Sequence, residues 1–530
     1  MAEKHKVLVA EKISSEGVDK LKEHFDVDAF DGIPRDELLA RIAGYDGLVV
    51  RSGTRVDAEV IDAASRLRVI GRAGIGVDNI DVESATRKGV LVANVPESNI
   101  ISAAEHTMAM LMSTARRIPG ACASLKSGEW KRSAYQGVEL YGKTLGIIGI
   151  GRIGALVAER ASGFGMKLAG FDPYISSQKA KSLGIEMKPT AEEVLEVADF
   201  ITLHVPKNKD TYHMLGDKQF DLVKPGVRIV NVSRGGVIDE AALARAIQDG
   251  KVAGAAIDVF ETEPPGADNP LCPLPEVVVT PHLGASTTEA QYKAGVAIAD
   301  QVIAGLTGGF VSGAVNIAMP HKEVVETLRP YMPLCEKLGR LFVNLTSGAI
   351  KEIEFEILGD ISEFDTSLLT VAFLKGFFEN ISMDAVTYVN APILAMERGI
   401  TVKESKSRRS RDYVNLIQVT ALEDEAKVTA GATLIGVNQE MFVNVLDYDI
   451  EISPSRNMAF VTYEDRPGMI GRVGTVLGSN GINISGLSVG HRSLDGVAGM
   501  GLNLDSPLEA ETLEALEIQD GVKRAQFLVL

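Results

Sequence analysis

Gly149-Ile150-Gly151-Arg152-Ile153-Gly154 follows the apolar run Thr144 to Ile148 and opens a helical pattern that extends to Phe164. A strand, a tight glycine turn and a helix in that order begin a parallel α/β unit able to hold a dinucleotide. Gly149, Gly151 and Gly154 let the backbone turn sharply and approach a pyrophosphate. The helix N-terminus offers that anion unpaired N–H groups and partial positive charge. The next strand, Leu168 to Phe171, ends at Asp172, 18 positions after the third glycine. A carboxylate there accepts hydrogen bonds from the adenine ribose and repels a 2′-phosphate, so NAD is expected rather than NADP. The alternative is a glycine-rich turn without a ligand, and the context weighs against it.

The pattern repeats on both sides of this loop. Val7 to Ala10, Gly47 to Val50 and Val69-Ile70 read as strands separated by helical stretches such as Gly17 to His24. A long helical pattern runs from Ser102 to Arg117. After Asp172, strands are expected at Phe200 to His204, Arg228 to Val232, Ala253 to Asp258 and Val277 to Thr280. Strands alternating with helices give parallel sheets with helices on both faces. Ser286-Thr287-Thr288-Glu289 reads as a capping box that opens another helix, and Gly308-Gly309 after it reads as a hinge or linker. Residues 313–452 mix helix and strand. The last 75 residues follow the order βαββαβ of a ferredoxin-like unit, with Pro467 suited to a helix's first turn. The fold expected is α/β. Two doubly wound parallel-sheet domains (Rossmann-like and flavodoxin-like) occupy 1–99 with 287–310, and 100–286; an α+β domain spans 313–452, and the ferredoxin-like unit 456–530.

Composition bounds the function. The 530 residues are 45% hydrophobic and carry a net charge of −17, which argues against nucleic acid or anionic membrane as partners. Three cysteines, Cys122, Cys272 and Cys335, suggest free thiols in a reducing compartment. The N-terminal residues lack the apolar core of a signal peptide, and no run of 18 apolar residues suggests a membrane span. A cytoplasmic protein is expected, and no metal-ligand pattern stands out.

Three polar residues lie just past later strands: Arg234 in Val232-Ser233-Arg234-Gly235-Gly236, Glu263 in the stretch from Asp258 to Pro264, and His282 in Thr280-Pro281-His282-Leu283-Gly284-Ala285. Ligands of open α/β sheets bind beyond the carboxyl ends of the strands, so three loops can meet there. Oxidising a 2-hydroxy acid requires a base for the hydroxyl proton, which suits histidine. A carboxylate holds the imidazole, and an arginine binds the substrate carboxylate. Alone, each reads more readily otherwise: His282 as a structural or exposed histidine, Glu263 as a loop charge, Arg234 as a helix-capping or surface residue.

Together these motifs resemble the D-isomer-specific 2-hydroxyacid dehydrogenases, and the resemblance extends over nearly the whole chain to their long-form, 3-phosphoglycerate-oxidising branch. It implies catalytic roles for Arg234, Glu263 and His282, and cofactor contacts at Ile75, Arg152, Ile153, Asp172, Val205, Val232 and Asp258. It also implies that Arg51, Ser52 and Gly53, Arg72 and Arg132 hold the phosphate and carboxylate of 3-phosphoglycerate. Asp465-Arg466-Pro467-Gly468 and Gly481-Ile482-Asn483-Ile484 resemble an ACT module, which implies L-serine as effector, held by Tyr463, Asp465 and Asn483. A homotetramer is implied by the same analogy. The basic run Lys403, Lys406, Arg408, Arg409 and Arg411 reads as a solvated loop, with a second anion site the weaker alternative. Two rivals remain open at this point: a glyoxylate or hydroxypyruvate type dehydrogenase, and an NAD-sensing, corepressor-like binding protein.

Overall fold

In a computed structural model, the residues described are 4–317, 320, 322–346, 348–382, 385–410, 412–423, 426–436, 438–491 and 496–530. Arg411 lies outside them. The first sheet is parallel, in the order Asp26–Ala29, Lys6–Val9, Gly47–Val50, Val69–Arg72, Leu91–Ala93. This is the flavodoxin-like order, and Gly47–Val50 is buried at every residue, as a strand covered on both faces must be. The second parallel sheet runs Val277–Val279, Val252–Ile257, Val227–Asn231, Phe200–Leu203, Thr144–Ile148, Lys167–Phe171, Ile185–Met187. Its order reverses beside Thr144–Ile148, so the glycine loop leaves the sheet at the switch point where ligands bind.

Helix Ile100–Arg116 crosses from the first domain and packs on the second sheet. Helix Thr288–Thr307 crosses back and lies against Ser15–His24. The approach is close: a Cβ on Gly17 would stand 2.4 Å from the Gly295 carbonyl oxygen. The helix starts one residue later than the capping-box pattern suggests. Thr287 is the N-cap and accepts from the Ala290 N–H, which leaves Glu289 one position short of the reciprocal bond.

The break expected at Gly308-Gly309 is not where the chain leaves the first domain. Gly308 takes φ +76° as the helix C-cap, the ordinary use of glycine there. Beyond it Val311 is buried in the first core, Ala314 bridges Ala93, and the Asn316 side chain bonds the Val92 N–H and the Val90 carbonyl. The first domain therefore extends past 310 to at least Ile317.

The third sheet is mixed: Thr401–Ser407 runs parallel to Glu352–Gly359, and Asn415–Leu422, Lys427–Ile435 and Gln439–Val445 follow antiparallel. Helices Met332–Leu345 and Ser367–Phe378 pack together on it around Phe342, Phe355 and Phe373. The basic run lies on and just past the edge strand Thr401–Ser407. Lys403 pairs with Glu352 at 2.6 Å, Lys406 with Glu404 at 3.2 Å and Arg408 with Glu363. These lysines and their partners guard a sheet edge. The last sheet, Ile484–His491, Val497–Leu504, Asn457–Glu464, Val522–Val529, is antiparallel, with helices Met469–Ser479 and Ala510–Glu517. Pro467 falls before its helix, because Gly468 at φ +95° is the N-cap.

Asp258, fully buried past strand Val252–Ile257, ties the second domain together. Its carboxylate accepts from the Leu283 N–H (2.7 Å), the Gly284 N–H (2.9 Å) and the Thr280 hydroxyl (2.5 Å), and contacts His106 Nε2 on helix Ile100–Arg116 at 3.2 Å. Burial works to raise its pKa; His106, Thr280 and the Leu283 N–H outweigh it, and the group is held below the usual carboxylate value. Asp258→Ala should cost the cofactor domain about 3 kcal/mol in unfolding free energy at pH 7, since it strands buried donors. A depressed folded-state pKa stabilises above the unfolded value and loses that contribution as pH falls through the folded one. The gap between parent and variant in urea unfolding should therefore narrow below about pH 4.

Candidate active site

The glycine loop has the shape its sequence implies. Gly149 adopts φ +88°, where a Cβ would stand 2.5 Å from the His204 carbonyl oxygen. A Cβ on Gly154 would stand 2.2 Å from the Gly149 oxygen, so that glycine lets helix Arg152–Gly163 pack on the loop. Gly151, the helix N-cap, has no side-chain cap and open space where a Cβ would be. The first N–H groups of the helix are thus left to an incoming anion, and the loop fits a dinucleotide pyrophosphate. Asp172 accepts from the Ile150 N–H (2.7 Å) and the Tyr174 N–H (2.8 Å). Those bonds fix its carboxylate beside the loop, with acceptor capacity left for ribose hydroxyls.

Between the two parallel domains lies a cleft of about 290 Å³, lined on one side by Arg51, Ser52, Arg72 and Ile75 and on the other by Ile153, Val205, Val232, Arg234 and His282. Asp258 does not line it, because its carboxylate is used in holding the 280–284 loop. Arg152 does not line it either and pairs with Glu97 of the first domain at 3.1 Å.

His282 Nδ1 lies 2.7 Å from Glu263 Oε2, and the other Glu263 oxygen accepts from the Phe260 N–H at 3.1 Å. Burial raises the Glu263 pKa, but the His282 hydrogen bond and charge more than offset it, and the carboxylate stays ionised. With Nδ1–H given to Glu263, His282 presents Nε2 as an acceptor. His282 adopts φ +55°, a left-handed conformation held by its own N–H donating to Asp258 O at 2.9 Å. Arg234 approaches from the other side, with Nε 3.2 Å from Asp78 of the first domain.

Arg72 is mostly buried, and its Nε has no hydrogen-bond partner. Burial, then the charge of Arg234, pushes its pKa down to about 10, and it remains cationic at neutral pH. A desolvated guanidinium with an idle N–H beside a second arginine is a site in need of an anion. Arg51 is placed by Glu11, whose carboxylate accepts from the N–H groups of Arg51 (2.9 Å), Gly53 (3.0 Å) and Thr54 (2.7 Å). The Gly53 N–H is therefore committed to Glu11. Arg132 opens a short 3-10 turn, Arg132–Tyr135, and does not line the cleft of its own chain.

In the C-terminal unit, Tyr463 is 3% exposed and packs in the core. Asp465 is exposed and lies 3.3 Å from His491, while Asn483 bonds Asp505. The register separates them: Glu464 pairs with Val497, whereas Ile484 pairs with Leu504, which pairs with Asn457. Asp465 and Asn483 thus sit at opposite ends of one sheet, roughly 25 Å apart at strand rise.

Glu11, Asp78, Glu97 and His106 were not singled out in the sequence. Each is an isolated polar residue whose partner is distant along the chain, and no spacing marks it. His204 also lines the cleft, its pKa driven down to about 4 by burial, so it is neutral.

Residues 108–284 match the D-isomer specific 2-hydroxyacid dehydrogenase NAD binding domain, 327–446 the D-3-phosphoglycerate dehydrogenase intervening domain, and 458–520 the ACT domain. A D-3-phosphoglycerate dehydrogenase of Methanocaldococcus jannaschii is 44% identical over 98% of this chain and 98% of its own. One from Bacillus subtilis is 41% identical over 96% and 97%. Among solved structures, D-lactate dehydrogenase from Aquifex aeolicus, complexed with NAD and lactic acid, aligns with a TM-score of 0.51 and 29% identity, covering 57% of this chain and 96% of its own. From its sequence, its fold and its glycine loop, the chain belongs to the D-3-phosphoglycerate dehydrogenase branch of the NAD-dependent D-isomer-specific 2-hydroxyacid dehydrogenases.

Proposed function

We propose that the chain oxidises 3-phospho-D-glycerate to 3-phosphooxypyruvate with NAD, the first step of L-serine synthesis, in the cytoplasm. The observation that carries this reading is the cleft that joins the Glu263–His282 pair to the unsatisfied guanidinium of Arg72. Arg234 and Arg72 bind the substrate carboxylate, and Arg51 with Ser52 faces the phosphate. His282 Nε2 takes the proton of the C2 hydroxyl, and Glu263 stabilises the imidazolium that forms. Arg234 stabilises negative charge on the C2 oxygen as that proton leaves. NAD, when bound to the glycine loop and Asp172, supplies the hydride acceptor. Absorbance at 340 nm should rise on adding 3-phosphoglycerate and NAD. Glu263→Gln should lower kcat by ~10²-fold or more with little change in NAD affinity. No absorbance change with 3-phosphoglycerate, against a clear one with glyoxylate and NADH, would contradict the substrate.

The chain is proposed to act as a homo-oligomer, a tetramer by analogy. Support comes from the arm at 118–141, which exposes Ile118 (50%), Leu125 (57%), Trp130 (76%) and Tyr141 (79%). Large exposed apolar side chains gathered on one arm fit a subunit contact. Arg132 lies on that arm, and we assign it to the cleft of a second copy. Arg132→Ala should raise KM for 3-phosphoglycerate several-fold and leave an unphosphorylated 2-hydroxy acid unaffected; equal effects on both would remove the phosphate role.

L-Serine is the proposed effector of the ACT unit. Asp465 and Asn483, at opposite ends of one sheet, reach one ligand only if two chains pair, each giving one end. Tyr463 then serves as packing beneath the site. Serine should inhibit the parent, and Asp465→Ala and Asn483→Ala should each relieve that inhibition. Co-refolding the two variants should restore part of it, because a hybrid pair holds one intact site. A mixture as insensitive as either variant would contradict a shared site.

A further inference from the structure

The segment from Asp258 to Pro264 carries three acids, and each faces a histidine from another part of the domain. His106 meets Asp258 at 3.2 Å and His282 meets Glu263 at 2.7 Å. The third pair lies outside the cleft: His213 Nε2 stands 2.8 Å from Glu261 Oε1. His213 sits on the loop after strand Phe200–Leu203 in a left-handed conformation, φ +51°. That conformation is uncommon for a residue with a side chain. Its own N–H donates to the Gly236 carbonyl at 2.8 Å, two residues past Arg234.

Glu261 also ties to the start of helix Glu240–Gln248, which follows the Arg234 loop. Its N–H donates to Glu240 Oε1 at 2.6 Å, and Asn269 Nδ2 donates to the other Glu240 oxygen at 2.6 Å. Between these bonds the two loops touch backbone to backbone: a Cβ on Gly235 would stand 1.7 Å from the Phe260 carbonyl oxygen. Arg234 and Glu263 thus sit on two loops pressed together and cross-linked behind the cleft. The groups facing His213 are Glu261, Asp239 at 3.8 Å from Nδ1, and the stacked ring of Tyr212, with Lys207 over that ring. Two carboxylates, Glu261 and Glu240, lie in one cross-link; burial first, then Glu261 and Asp239, raise the Glu240 pKa against the backbone and Asn269 bonds that lower it. Glu261 Oε1 meets His213 Nε2 at 2.8 Å, and the Glu240 N–H donates to the same oxygen at 3.4 Å.

We propose that His213, through Glu261, is a positioning residue for the reaction: it fixes the 258–264 loop so that Glu263 meets His282 and Arg234 in register. A misplacement of about 1 Å at a reacting group can lower the rate by ~10²-fold. Support of this kind acts mainly on kcat, since Arg51, Arg72 and the glycine loop stand on other segments, and the backbone bond from His213 to Gly236 beside Arg234 survives the loss of either side chain.

The test is a double-mutant cycle of His213→Asn and Glu261→Ala in the full chain, with kcat, KM for 3-phosphoglycerate and the Kd of NAD measured for each. Asn tolerates the left-handed backbone, so the substitution removes the imidazole without new strain. Each single variant should lose about 10-fold or more in kcat, with KM and the NAD Kd within about two-fold of the parent. The double variant should lose no more than the worse single, because the His213–Glu261 bond is already gone in each. Retained NAD affinity shows that the domain is folded; should His213→Asn fail that check, Glu261→Ala carries the test. Parent-like kcat in the folded variants, fully additive losses, or a loss that tracks NAD affinity would overturn the proposal. The inference rests on the proposed role of Glu263, which Glu263→Gln tests separately. A parent-like Glu263→Gln removes both readings, whereas a crippled Glu263→Gln beside a parent-like His213→Asn removes this one alone.

Discussion

One buried carboxylate governs how the cleft is assembled. Asp258 has no contact with solvent, so it must be satisfied from within, and the donors that satisfy it come from the elements that have to meet. Two are N–H groups of the turn that holds His282 at a positive φ, and a third is Thr280 at the root of that turn. The fourth is His106, on the helix that crosses from the first domain. Asp258 also begins the segment in which Glu263 lies five residues further on. Fixing Asp258 therefore fixes both members of the His282–Glu263 pair relative to the crossing helix, and the cleft inherits its geometry from an interior group that never faces it.

The second half of the chain is attached to the first domain. Thr387 Oγ1 donates to the Gly89 carbonyl, and Val389 enters the first domain's core beside strand Leu91–Ala93. The ACT sheet joins the third domain in turn: Gln526 donates to the Asn344 carbonyl, and Leu528 packs with the third domain's interior. A continuous set of packed contacts thus runs from the ACT unit through the third domain to the sheet that carries Arg51 and Arg72. Those arginines and the glycine loop lie on opposite walls of the cleft, so any change in how the walls meet alters both at once.

Much of this was legible in the sequence, for reasons particular to each part. The parallel sheets were readable because buried strands are continuous apolar runs between helical stretches. The glycine loop was readable because Gly149 and Gly154 stand where no Cβ fits, and that steric demand leaves a pattern. Arg234, Glu263 and His282 follow strand ends, which is where an open sheet places its ligands. Other features left no pattern. Thr287 and Ser286 both have the side chain of a cap, and in the fold it is Thr287 that caps, with its hydroxyl 2.8 Å from that of Ser102. Gly308-Gly309 has the composition of a linker, yet the chain after it is captured by Val92 and Ala93 through partners more than 200 residues away. Tyr463 has a polar tip but spends it in a core. Glu11, Asp78 and His213 act through pairings that only the fold creates.

The central claim is that a hydride leaves C2 of 3-phosphoglycerate in this cleft while His282 takes the hydroxyl proton. It is tested most directly by a single turnover with substrate carrying deuterium at C2, followed by mass spectrometry of the nicotinamide and of solvent water. The expected result is one deuterium in the reduced nicotinamide and none released to water. Deuterium in water with an unlabelled nicotinamide would contradict the account.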